Sequence, residues 1–142
     1  MTICAKALKE MEKKMIDTME AYRPHTAVVF FGGNKTHWWT RFLKKGYYHC
    51  FIAMDIGCSK WILIDPVMNY TDFIVVQNDN YFIKTLADKG YTYIITEPKV
   101  ILNKNWHIRP FTCVEVVKNF LGIAKPFIFT PYQLYKHIKK EK

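Results

Sequence analysis

Apolar residues recur along positions 2–21 at Ile3, Leu8, Met11, Met15 and Met19, with Lys6, Lys9, Glu10, Glu12, Lys13, Lys14 and Asp17 between them. That spacing winds one apolar stripe along a helix and puts charge opposite it. The stripe predicts a helix packed on a sheet, with a partner-binding helix as the second reading. Pro24 breaks it. From there the pattern shortens to runs rich in Val, Ile, Phe and Tyr, bounded by Gly, Asn and Pro. Such runs predict strands at 26–31, 47–55, 60–65, 73–77 and 91–96, with a further one at 106–108. Gly57 lies in the turn between the second and third. Short helices are predicted at 36–45, capped by Thr36 and closed by Gly46, and at 79–89, stopped by Gly90. Thr130 followed by Pro131 starts a last helix to position 140. The order gives an α+β fold, an antiparallel sheet of about five strands with helices packed on it.

One predicted helix carries chemistry. In the stretch 109–122, Thr112 is a good N-cap, Glu115 completes a Thr-x-x-Glu capping box, and Gly122 falls where a helix end favours a left-handed residue. Cys113 therefore opens the helix, under unpaired backbone N–H groups and the positive end of the dipole. That setting pulls a thiol toward thiolate. A small buried apolar group is the equally weighted plain reading of the same cysteine.

A cysteine nucleophile needs a base, and the base needs an orienting group. The histidines are His25, His37, His49, His107 and His137. His49 sits among aromatic and aliphatic residues on a predicted central strand. A turn near Gly57 and Cys58 places it opposite positions 65 and 66, so Asp65 would hold its ring. A satisfied His–Asp pair at the open end of a hairpin is the bland alternative. Asn69 is a rival third member and His107 a fallback base. His37 with Trp38 could floor a substrate cleft or pack a small helix on the sheet. Cys50 and Cys58 near His49 match no standard metal-ligand spacing, and the double glycine at 32–33 lacks the ending of a phosphate loop, so neither a metal nor another cofactor is expected.

These residues resemble the circularly permuted branch of papain-like cysteine hydrolases. That branch holds the permuted NlpC-type peptidases and amidases and the lecithin:retinol acyltransferase-like enzymes. The segment 49–57 is similar to their histidine strand followed by a Gly turn, and 112–117 to their Cys-helix start; the resemblance spans about 45–122. It implies a Cys113–His49–Asp65 triad, a thioester intermediate, and an oxyanion site at Cys113 and Thr112. Thr112 stands where the family has Asn or Asp, and no second histidine follows His49 before His107. Asp65 thus fits the peptidase-like variant. Residues 109–138 also resemble small phage and prophage proteins, which would associate the chain with a virion.

The totals narrow the remaining choices. The 142 residues suit one domain, and a 50% hydrophobic content can fill its core. Four cysteines without a Cys-x-x-Cys pair suggest reduced thiols, and with no signal-like segment at the start this predicts a cytoplasmic protein. No window is apolar enough for a membrane span. The net charge of +9 concentrates at 35–60 and at Lys136, Lys139, Lys140 and Lys142. It favours acidic partners, including nucleic acid or anionic polymers, and with the papain-like resemblance it implies an anionic peptide or acyl substrate of cell-wall or lipid type. A non-enzymatic basic module is the alternative: a phage assembly protein, or a nucleic-acid binder without a recognised motif.

Overall fold

The computed structural model describes residues 2–21, 24–68, 70–77, 80–99 and 112–142. The strand expected at 106–108, His107 and Asn69 lie outside these. The elements are α1 (Thr2–Ala21), β1 (Ala27–Gly32), β2 (His49–Gly57), β3 (Lys60–Val67), β4 (Tyr70–Gln77), α2 (Tyr81–Asp88), β5 (Thr92–Thr96), α3 (Cys113–Leu121) and α4 (Pro131–Lys140). The five strands form one open antiparallel sheet in the order β4-β3-β2-β1-β5. The α+β class and the antiparallel sheet are as the pattern predicts.

β1 is buried along its whole length because it is covered on both faces. Alternation divides its side chains. Ala27, Val29 and Phe31 join Cys50, Ile52 and Met54 of β2 beneath α3 and α4, whose Val114, Val117, Leu121, Leu134 and Ile138 complete that layer. Val28 and Phe30 join Phe51, Ala53 and Trp61 beneath Phe82 of α2. At roughly 1.5–3 kcal/mol per buried large side chain, these two layers are the main stabilising term.

α3 is held down by a buried ion pair. Lys118 Nζ lies 2.5 Å from Glu115 Oε1, and it also donates to the Ile128 carbonyl at 3.4 Å. The lysine thereby fastens the loop after α3 to the helix.

Three expectations need correction. The α1 stripe does not pack on the sheet: Leu8, Met11 and Met15 are 61%, 71% and 58% exposed, and the layers over β1 and β2 are built by α2, α3 and α4. The predicted helix at 36–45 is only a 3-10 turn over Trp38–Phe42, and its N-cap His37 makes no side-chain cap. Five residues do not repay helix nucleation. β3 runs through Pro66 to Val67, not to Asp65. The β2–β3 ladder ends at Ile52↔Ile64, so Pro66 lies past it and its missing N–H removes no bond to β2.

Candidate active site

The β2–β3 hairpin turns at Cys58 and Ser59, whose φ angles are +52° and +56°. Two positive-φ residues give the primed turn whose twist suits a two-residue hairpin. Asp55 Oδ1 accepts the Gly57 N–H at 2.8 Å, and the register shifts between Asp55 and Gly57. That irregularity alters the expected alignment. Beyond Ile52↔Ile64 the ladder, if continued, would set His49 against Val67 and Asp65 against Phe51. His49 therefore meets Asp65 on the diagonal, not directly opposite, and diagonal neighbours remain within reach of long side chains. The contact is close, with His49 Nε2 2.5 Å from Asp65 Oδ1.

The approach to His49 is clamped from both sides. Tyr47 packs against Tyr132 and Tyr135 of α4, with ring centroids 5.0 and 5.1 Å away. Lys44 Nζ sits 3.8 Å from the centre of the Tyr132 ring. On the other side lies Gly33, with φ +91°, where an added Cβ would come within 3.2 Å of His49 Cβ. At Gly32 an added Cβ would meet the Tyr91 ring at 2.5 Å. The double glycine thus admits neighbouring side chains and is not a phosphate cradle.

Cys113 is the first residue of α3, as the spacing predicts. Thr112 is extended, and its Oγ1 accepts the Glu115 N–H at 3.2 Å. This is the Thr112 half of the expected box; Glu115 Oε1 turns to Lys118. Gly122 closes the helix with φ +64°. The Cys113 sulfur is in hydrogen-bond contact with the His49 ring. Since Asp65 takes Nε2, Nδ1 is the nitrogen left for sulfur. The three expected triad members are brought together.

Cys50 joins them, which the sequence reading missed. Its thiol and its backbone N–H both hydrogen-bond to Cys113. The signal was present: Cys50 adjoins His49 on a central strand, and alternation with Ile52 and Met54 points it beneath α3. The thiol hydrogen bond from Cys50 is the strongest influence on Cys113. Burial opposes it, and the bond and charge of His49 add to it, so the Cys113 pKa is lowered to about 5. For His49, burial pulls downward, but the hydrogen bonds of Asp65 and Cys113 and their charges outweigh it, raising the pKa to about 9. Between those values the pair exists as thiolate and imidazolium. Burial pushes the Cys50 thiol well up, so it stays a donor.

His37 and Trp38 stand apart from this cluster. His37 stacks on Trp39 at 5.6 Å, and Trp38, 73% exposed, receives the Arg41 guanidinium at 5.8 Å. Both belong to the connection that ends at His49. Among the described residues, no group of three or more His, Cys, Asp or Glu is placed to hold a metal ion, Cys50 and Cys58 included. No described helix is long and apolar enough to cross a membrane. Compared with known proteins, the chain matches no family model, no curated protein and no solved structure.

Proposed function

We propose that the chain is a cysteine-dependent hydrolase or acyltransferase, acting on an amide or ester bond through Cys113, His49 and Asp65. The observation that carries this reading is the continuous contact from Asp65 through His49 to the sulfur at the start of α3. The order of these residues, histidine strand, carboxylate strand, then cysteine helix, supports a likeness to the permuted papain-like enzymes.

The Cys113 thiolate attacks the carbonyl carbon, forming a C–S bond and displacing the π electrons onto oxygen. The Cys113 N–H, without an intrahelical partner at the first helical position, donates to that oxyanion. The Thr112 hydroxyl accepts from Glu115 and keeps its own hydrogen for the same purpose. His49 gives its proton to the departing amine or alkoxide, leaving a thioester. Water, or an acceptor nucleophile, then attacks with His49 as base and frees the sulfur. Asp65 fixes the ring and stabilises its charged form. The +9 charge suits an anionic peptide or acyl chain, of cell-wall or lipid type.

The active form needs Cys113 ionised and His49 protonated. Turnover should therefore rise through about pH 5, where the thiol ionises, and fall through about pH 9, where the imidazolium loses its proton. The reaction is tested without a known substrate by iodoacetamide labelling from pH 4 to 10 with peptide mapping. Selective modification of Cys113 with a midpoint near 5 is the expected result. Slow labelling of Cys113 with the ordinary thiol profile, near ~8.5, would sink the proposal.

A second reading draws on the 3-10 turn. Trp38 and Phe42 are 73% and 72% exposed, with the Arg41 guanidinium 5.8 and 5.1 Å from their rings. Exposed aromatics beside cations suit base stacking and phosphate contact in single-stranded nucleic acid. Salt-dependent retention on single-stranded DNA that survives Cys113→Ala and is lost in Trp38→Ala would establish it.

A further inference from the structure

Cys50 donates to the Cys113 sulfur and is itself a nucleophile in waiting. It is wholly buried, at 0% exposure, in the layer beneath α3. Its two hydrogen-bonding groups, N–H and thiol, converge on one acceptor, the Cys113 sulfur. The backbone nitrogen is only about 1.5 Å from its own Cα. A sulfur touching both the N–H and the thiol of one residue is therefore close to that residue's Cα as well as to its side chain. Cys113 packs against the buried layer that holds Cys50, so the two sulfurs are neighbours where α3 lies on β2. The two sulfurs differ in access: Cys113 is half-buried, whereas Cys50 is sealed. Cys58, exposed at the hairpin tip, is nine residues along the strand from His49, a distance of roughly 30 Å, and does not compete.

We propose that Cys113 and Cys50 form a reversible thiol switch, in which hydrogen peroxide oxidises the Cys113 sulfur and Cys50 then closes a disulfide with it. The inference rests on the reading of Cys113 as a reactive thiolate and adds regulation to that site. In the first step the Cys113 thiolate attacks one peroxide oxygen. An S–O bond forms and the O–O bond breaks. The departing hydroxide takes the His49 proton and leaves as water, so sulfur is oxidised to sulfenic acid and peroxide is reduced. In the second step the Cys50 sulfur attacks the Cys113 sulfur. The S–S bond forms, the S–O bond breaks, and hydroxide leaves with the Cys50 proton as a second water. The access difference fixes the order: peroxide meets Cys113 first, and Cys50 resolves the product before a second oxidation to the irreversible sulfinic acid. A dithiol reductant restores both thiols.

The test exposes the full chain to hydrogen peroxide, quenches it, and reads intact mass, peptide maps and iodoacetamide labelling of Cys113 before and after dithiothreitol. The expected product has lost two hydrogens, carries a Cys50–Cys113 cross-link, and recovers its Cys113 labelling on reduction. Cys50→Ser keeps a hydroxyl donor and a similar volume but cannot bridge; Cys50→Ala is the second variant should serine disturb the core. In either, Cys113 should gain two oxygens and should not recover. Equal rates of sulfinic acid formation with and without Cys50, and no cross-link, would overturn the switch. Labelling of untreated Cys113 at low pH separates the failures. If it is retained without a cross-link, only the switch falls; if it is absent, the reactive-thiolate reading falls too.

Discussion

Helices α3 and α4 open with the same cap and come to opposite ends. Each begins after an extended threonine whose hydroxyl accepts the N–H three residues on, Thr112 from Glu115 and Thr130 from Gln133. In α4 the N-terminus is closed on itself. Gln133 Oε1 accepts the N–H groups of Phe129 and Thr130 at 2.9 and 3.1 Å, and Pro131 has no N–H to offer. In α3 the residue at the N3 position turns away to Lys118, and the first helical residue keeps both an N–H and a thiol. The dipole is common to both helices and so cannot by itself define a site. What differs is the first residue and what faces it: His49 and Cys50 across α3.

The largest effect should come from disturbing how α3 parks its acid. Lys118→Ala would leave Glu115 buried without its lysine and should cost about 3–5 kcal/mol, read as a lowered midpoint in denaturant unfolding. A loss below 1 kcal/mol would show that the pair does not anchor α3. Next, His49→Ala removes the cation facing Cys113. The labelling midpoint should climb from about 5 toward the ordinary thiol range. At pH 6 that should slow Cys113 alkylation by up to roughly a hundredfold, with Cys50 donation retaining part of the effect. The smallest effect should be that of the caps. Thr112→Ala and Thr130→Ala should each cost about 1 kcal/mol of stability, but only Thr112→Ala should alter the Cys113 labelling profile. Equal profiles in the two variants would erase the proposed contrast between the helix starts.

The comparison also shows what a sequence discloses. The α3 start was legible because cap, first residue and C-terminal glycine lie within eleven positions of each other, and local spacing governs them. The His49–Asp65 pair was legible from the hairpin, though the alignment was off, since the irregularity between Asp55 and Gly57 has no clear mark in the residues. Cys50 was not legible as a site residue, because its meaning depends on a helix more than sixty positions away. The α1 periodicity correctly gave a helix, but a stripe states that a face is apolar and not what it packs on. At 36–45 the cap and glycine signals were followed while the shortness of the segment decided the outcome.

The tip of the β2–β3 hairpin has one more consequence. Cys58 and Ser59 both adopt left-handed backbone without being glycine or asparagine, a conformation that costs L-residues roughly 1 kcal/mol each. Asn-Gly at 58–59 should fit the same bend with less strain and raise thermal tolerance by a few degrees. Because the tip lies far along the strands from the imidazole, that redesign would harden the scaffold while sparing its chemistry. It would also remove an exposed thiol able to couple two molecules during storage.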